Sequence, residues 1–422
     1  MKKFISTTLL LASMATQALP PKPNDNAPVS EVFINATIHV GNGKVLSNAQ
    51  LAIEDGKVVR LGHYKAPYTG NEIDLKGKHI YPGFILPNTN LGLTEVDSVK
   101  ATQDSSETGQ INPNVRALVA YNTDSERIPT MRFNGILLAQ TTPAGGLVSG
   151  TSSVVQLDAW NWEDAAIKAD DGMHVNWPAE WAKRFDWATF TMQLKQDKKY
   201  QEKVNAIKNL FADAKGDTSN NNVKLNAVKR VLNGQTKLYL HSNNPKAIIE
   251  GINHFQSIGV KDLVLVTGQA AGQITDFIAQ SGVSVILESV HSLPQLSDHS
   301  VDAAYALPAK LQKAGILTAL SYPGSMSSRN LAFTAGTTVA YGNSPEQALQ
   351  MITLNPAKIL GVDKSYGSLE IGKSATFFIS EGDAMDMRTN VITAAYIDGR
   401  PIELHTMQQQ LYDRFKNKYA QD

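Results

Sequence analysis

Eight short apolar runs, near residues 81–87, 135–142, 151–157, 172–177, 236–242, 261–267, 282–289 and 314–321, set the tightest limit on what this chain can become. Most are followed by apolar residues at helical spacing, and strands alternating with amphipathic helices are the pattern of parallel βα units. Eight such units predict an α/β protein built as a (β/α)8 TIM barrel over residues 81–365. An open doubly wound sheet is disfavoured, because nothing signals a nucleotide-binding first turn. The stretch 179–233 is long for a connection, and its apolar residues Leu194, Val204, Ile207, Leu210 and Phe211 predict inserted helices.

The two ends of the chain share a different pattern. From Val29 to about Ile80, short alternating strands are broken by turn signals at Gly41-Asn42-Gly43, Asp55-Gly56 and Lys76-Gly77. At the far end, Ser374 to Ser380 and Val391 to Ile397 read as strands, and Asp398-Gly399 reads as a hairpin turn into Pro401-Ile402-Glu403-Leu404. Residues 29–80 and 366–404 are therefore expected to build one small β-sandwich domain together. Beyond it, Leu411, Phe415 and Tyr419 recur at helical spacing and predict a docked C-terminal helix within 405–422.

Residues 1–18 read as a secretory signal peptide. Lys2 and Lys3 form its positive start, Phe4 to Met14 its apolar core and Thr16-Gln17-Ala18 its cleavage site. The apolar run is too short to span a bilayer, so a periplasmic protein is expected, with no membrane partner once the signal is removed. Pro20 to Pro28 forms a polar, Pro-rich lead-in. The absence of Cys excludes disulfides, a thiolate metal site and a Cys nucleophile. Lys and Arg number 39 and so do Asp and Glu, which leaves no basic footprint for nucleic acid.

The sharpest motif is Pro82-Gly83-Phe84-Ile85-Leu86-Pro87-Asn88-Thr89-Asn90. On a strand, residues i and i+2 face the same way, so Asn88 and Asn90 are expected to project together into one pocket. Two His there would offer zinc two imidazole nitrogens, whereas two neutral amides bind it poorly. The stretch resembles the first barrel strand of the amidohydrolase superfamily, Pro-Gly-Phe-Ile/Val-Asp-x-His-x-His. Leu86, Asn88 and Asn90 stand where that pattern has Asp and both His. Further stretches are similar to the imidazolonepropionase-like branch. They are Ile111-Asn112-Pro113-Asn114-Val115-Arg116-Ala117 with Asp124-Ser125-Glu126 and Ile128-Pro129, Arg329-Asn330-Leu331, Thr353 to Gly361, and Gly367 to Lys373. The resemblance covers nearly all of the chain after the signal. It implies the same barrel with a β-sandwich from both ends, and hydrolysis of C–N bonds other than peptide bonds by metal-activated water.

The resemblance also implies metal ligands on strands four, five, six and eight. His241 matches the strand-five His, and His174 lies near the strand-four position. Thr267 falls where strand six has His, and strand eight ends Ala319-Leu320-Ser321-Tyr322-Pro323 without the expected Asp. The candidate pocket residues are thus Asn88, Asn90, His174, His241, Thr267, His291 and Tyr322, with no metal ligand set and no catalytic residue assigned. No cofactor is expected, and zinc only if a residual site survives around His174 and His241. A second cluster, Glu288, His291, Asp298, His299 and Asp302, offers acid–base chemistry without metal or, alternatively, is a solvated loop. Gly367 to Ser374 spells a phosphate-binding loop, but the β-branched and aromatic run Thr376 to Ile379 follows where a helix would have to start. Gly145 to Gly150 lacks the Lys and the helix start as well. Two functions stay open. One is an exported pseudoenzyme that binds a small molecule or acts as a partner subunit, its own copy included. The other is an active C–N hydrolase with a site remodelled around His174 and His241.

Overall fold

The computed structural model describes residues 26–419 apart from 66, 67, 69, 220, 289, 295–299, 323 and 325, and omits the side chains of 182–184 and 417. The signal peptide, the lead-in before Asn26, Asp298 and His299 lie outside the described residues. Five strands open the chain: β1 (Glu31–His39), β2 (Val45–Glu54), β3 (Lys57–Gly62), β4 (Asn71–Asp74) and β5 (His79–Pro82). Asp55 and Gly56 both have positive φ, 48° and 76°, which closes the β2–β3 hairpin with the twist that antiparallel strands favour. A Cβ on Gly56 would lie 2.8 Å from the Asp398 carbonyl, so this turn is also a contact with the far end of the chain.

The barrel follows with β6 (Phe84–Thr89), β7 (Ile136–Thr141), β8 (Val148–Gln156) and β9 (Ala166–Asn176). After β9 the chain makes an excursion through a hairpin, β10 (Trp181–Asp186) and β11 (Thr191–Gln196), and two helices, Tyr200–Gly216 and Val223–Leu232. It returns as β12 (Lys237–His241), β13 (Leu263–Thr267), β14 (Ser284–Leu287) and β15 (Thr318–Leu320). All eight expected runs are strands of one sheet, in the order β6-β7-β8-β9-β12-β13-β14-β15. The sheet nearly closes. Ser321 Oγ donates to the Pro87 carbonyl at 2.7 Å, and the amides of Ile85 and Leu320 donate to the carbonyls of Ile352 and Met351, each at 2.9 Å.

Two expectations fail here. The sheet is not wholly parallel, because β8 runs antiparallel to both β7 and β9. The link from β7 to β8 is only residues 142–147, with Gly145 and Gly146 both at positive φ, while a parallel crossover needs about a dozen residues or more. The chain therefore has to turn back. The insertion after β9 is also not all helix. Val204, Ile207, Leu210 and Phe211 form the buried face of Tyr200–Gly216, but Leu194 lies on β11 and is exposed.

Three final strands, β16 (Phe377–Ser380), β17 (Ile392–Ile397) and β18 (Arg400–Ile402), join the first five. The sheet order is β18-β17-β16-β5-β1-β2-β3, with β4 also paired to β1. Rings from both ends meet beneath it: Phe33 lies edge-on to Phe377 and Tyr396 at 5.4 and 5.5 Å, and Phe377 stacks on Tyr396 at 4.6 Å. Gly367, at φ 87°, belongs to the turn between helix Leu354–Leu360 and this sheet, so the phosphate-loop spelling is a turn. Met407–Tyr419 is helical, and Thr130 Oγ1 reaches its first turn at Gln408 (3.4 Å), but Leu411, Phe415 and Tyr419 are exposed. The expected docked stripe is thus uncovered. Among the described residues no helix is long and apolar enough to cross a membrane.

Candidate functional site

The end of β6 departs from regular alternation. Asn88 has φ 51°, a left-handed conformation that Asn tolerates, and the pairing with β7 shifts register between Leu86 and Thr89. Its backbone amide donates to Gln140 Oε1 at 2.9 Å, which holds the turn. The two Asn therefore part company, against expectation. Asn88 Nδ2 donates to Glu288 Oε1 at 2.6 Å across the barrel, while Asn90 Nδ2 turns to Thr94 Oγ1 at 3.3 Å within its own loop.

Strands β9 and β12 bring the two histidines together. Their parallel register sets His174 beside Tyr239 and Asn176 beside His241. The His174 ring stacks on Tyr239 at 4.6 Å, and its Nδ1 lies 2.7 Å from His241 Nε2. Burial lowers His241 to about 4, and burial with the neighbouring His241 holds His174 well below the usual imidazole range. Two neutral rings then share one N–H between them, and His174 Nε2 is buried without a hydrogen-bond partner. Thr267 Oγ1, at the end of β13, is buried and unpartnered in the same way.

Glu288 follows β14, and burial raises its carboxyl to about 7 against the opposing bond from Asn88. His291 is exposed at the rim, with Nε2 2.7 Å from Thr337 Oγ1 and its ring edge-on to Tyr322 at 6.3 Å. Of the two alternatives for the acidic and His cluster, convergent acid–base chemistry is not seen among its described members, because Glu288 points to Asn88, His291 to Thr337 and Asp302 to Ser300.

Deeper in the barrel lies a polar core that the sequence reading missed. Asp171, buried, accepts from Tyr239 OH (2.7 Å), Ser152 Oγ (2.7 Å) and Gln140 Nε2 (3.1 Å). Burial raises the Asp171 carboxyl, while these donors and the Lys168 charge oppose the rise. Gly172 is obligatory here, since a Cβ would lie 1.9 Å from the Tyr239 ring. A signal was present: Asp170-Asp171-Gly172 interrupts an apolar strand, and an acid beside Gly in a strand interior marks a close approach. The bonds run on from Tyr239 through Asp171 and Gln140 to Asn88 and Glu288, crossing the barrel from β12 to the end of β14.

This donor set does not fit the zinc that the resemblance implies. The Asn88 amide is committed to Glu288, the facing nitrogens of His174 and His241 to each other, and Ser321 Oγ to Pro87. Catalytic zinc takes three protein ligands, and among the described residues no group of three or more His, Cys, Asp or Glu side chains is placed to hold a metal ion. A cavity of about 850 Å³ opens elsewhere, at the N-terminal end of β9, lined by Asp158, Trp160, Lys168, Tyr366 and Arg400 among others. Three of its polar side chains are tied up internally: Lys168 donates to the Leu360 carbonyl at 2.6 Å, Tyr366 to Asp398 at 3.1 Å and Arg400 to Asp158.

A nearly closed eight-stranded barrel sheet with polar side chains gathered at its strand ends defines a TIM-like barrel. Residues 251–402 match the model of the Amidohydrolase family. The imidazolonepropionase of Fusobacterium nucleatum subsp. nucleatum is 28% identical over 135 residues, 31% of this chain and 33% of that protein. That of Flavobacterium psychrophilum is 29% identical over 121 residues, 26% of this chain and 29% of the relative. The matches span about a third of these curated relatives. Among solved structures, an amidohydrolase from Thermotoga maritima MSB8 superposes with a TM-score of 0.76 at 22% identity, covering 88% of this chain and 99% of that one. An adenosine deaminase from Xanthomonas campestris with bound zinc gives a TM-score of 0.53 at 15% identity, with 93% and 100% covered. At these identities the likeness is one of fold. The sequence likeness is thus to the Amidohydrolase family over residues 251–402 and to imidazolonepropionases over about a third of the chain, on a fold shared with amidohydrolases.

Proposed function

We propose that this hydrolase-like protein has given up metal-dependent hydrolysis and serves as an exported pseudoenzyme, binding a small molecule or acting as a partner subunit in the periplasm. Its division follows the sequence reading: a cleaved signal at 1–18, a β-sandwich from 29–80 and 366–404, and the barrel between them. One observation carries the proposal: at the ligand positions Asn88 is engaged by Glu288, and the facing nitrogens of His174 and His241 by each other. Activating water at a C–N carbonyl needs a Lewis acid and a base at one point, and these side chains are spent on internal bonds.

The test is elemental analysis of protein purified without chelator, beside assays on cyclic amides, ureas and dipeptides with and without added Zn²⁺ or Mn²⁺. Substoichiometric metal and no turnover are expected. Restoring Asn88→His and Asn90→His should not create activity, because strands six and eight still lack His and Asp and such groups work as a unit. One tightly held metal per chain, or turnover by the double variant, would overturn the reading.

The second reading is an active C–N hydrolase remodelled around His174 and His241. It is favoured by Glu288, whose carboxyl at about 7 is poised for proton transfer near neutral pH. Metal-free turnover that disappears in Glu288→Gln would establish it.

A further inference from the structure

The hairpin β10–β11 forms a two-stranded sheet of its own, with Trp181 opposite Gln196 and Phe185 opposite Met192. Directly opposed residues share a face, as do residues two apart along a strand. By this register the positions of Trp181, Phe185, Met192 and Leu194 lie on one face together with those of Lys183 and Gln196, and Asp186 and Lys195, joined at 2.5 Å, lie on the other. The tip adds Trp187 and Phe190, which meet Phe185 and each other edge to face at 4.9 to 6.4 Å. These six apolar side chains are 41% to 77% exposed, the tip residues most of all. Phe190 also sits at φ 53°, a strained conformation for an aromatic residue.

An isolated two-stranded hairpin is marginal in water and needs cover on its apolar face. With about 150–250 Å² per aromatic side chain, the six leave on the order of 700 Å² uncovered. That approaches the roughly 800 Å² that each partner brings to a standard interface. The lysines with described partners around the stem are each matched by a carboxylate: Lys195 by Asp186, Lys203 by Asp197 and Lys246 by Glu180. These pairs neutralise their own charges, and the chain as a whole has zero formal charge. An exposed apolar area of this size suits a second copy of the same face.

We infer that a second copy of this chain covers the hairpin, two such faces packing against each other about a two-fold axis. The stem is tied to the barrel's C-terminal side. The Asp197 amide donates to the Glu180 carbonyl at 2.8 Å, and Lys246, in the helix that follows β12, reaches the Glu180 carboxylate at 2.9 Å.

Sedimentation velocity of the full chain without its signal should show a dimer at micromolar concentration. Replacing both Trp187→Ser and Phe190→Ser should weaken dimerisation by about a hundredfold or more, as loss of aromatic anchors does, while the monomer keeps its cooperative thermal transition. The chain has no Cys, so Met192→Cys can form a disulfide only between copies; it should oxidise to a covalent dimer, whereas Val45→Cys on β2 should not. A wild-type monomer, a dimer that survives the double substitution or the absence of the cross-link would overturn the inference. So would a monomer that binds phosphatidylglycerol vesicles through the same tip, which would assign the hairpin to a lipid surface.

Discussion

Among the described residues two pairs of histidines touch, one in the composite sheet and one in the barrel. In the sheet, His39 Nε2 lies 3.1 Å from His79 Nδ1, the Glu346 carboxylate lies 2.7 Å from the other nitrogen of His39, and the His39 ring stacks on Tyr81 at 4.2 Å. In the barrel, His174 and His241 meet at 2.7 Å, and no carboxylate is hydrogen-bonded to either ring among the described residues. The sheet pair ends a chain of partners that reaches a helix, Pro345–Gln350, so it links elements. The barrel pair is closed on itself. An imidazole shut away from opposite charge stays neutral, and a neutral pair that has spent its facing nitrogens is a joint between strands rather than a metal clamp.

The largest effect that would break this comparison is removal of the sheet. Truncation after Leu360 deletes β16, β17 and β18, exposes the edge of β5, which carries His79, and takes Phe377 and Tyr396 away from Phe33. Unpaired edges over an uncovered apolar face favour aggregation. The truncated chain is expected to be insoluble or to lose its cooperative thermal transition; a soluble, cooperatively folding product would show that the barrel stands without the sheet.

Next in size is the pH dependence of stability. His241 falls from 6.5 to about 4 on folding, so the unfolded chain takes up its proton first on acidification. Its contribution, up to roughly 3 kcal/mol, is present above about pH 6.5 and lost as pH falls towards 4. Glu288 has the opposite sign. Its carboxyl rises from 4.5 to about 7, so its contribution is present below pH 4.5 and lost as pH rises to 7. Relative to the parent, Glu288→Gln should gain up to roughly 3 kcal/mol between pH 4.5 and 7, read from urea midpoints. Parallel pH profiles for parent and variant would mean that Glu288 is not held as described.

The smallest effect sharpens the contrast. Glu346→Gln should cost about 1 kcal/mol, the usual worth of one hydrogen bond partly retained by the amide. The imidazole NMR signals of His39 and His79 should shift while those of His174 and His241 stay in place. Movement of all four would mean that the two pairs are coupled.

The eight strand positions and the meeting of both chain ends in one sheet were legible in the sequence because both rest on local pattern. An apolar run needs burial, and a turn such as Asp55-Gly56 closes its hairpin whatever lies beyond it. The hairpin Trp181–Gln196 was less legible, because Trp181 and Phe185 stand four apart, a spacing that a helix shares, and only Met192 and Leu194 alternate. The divergence of Asn88 and Asn90 was not, since it turns on one left-handed residue held by Gln140, 52 positions along the chain.

The sequence by itself determined the barrel strands, the strands at both chain ends and the family pattern they resemble, because these depend on residue type and spacing alone. Tertiary structure alone decided what the remaining side chains do. His174 and His241, 67 residues apart, become partners only because β9 and β12 lie side by side in register. Asp171 becomes buried chemistry because Tyr239, Ser152 and Gln140 converge on it from three other strands. Direction and proximity across a barrel are set by chain closure and packing, and neither leaves a mark at the residues they join.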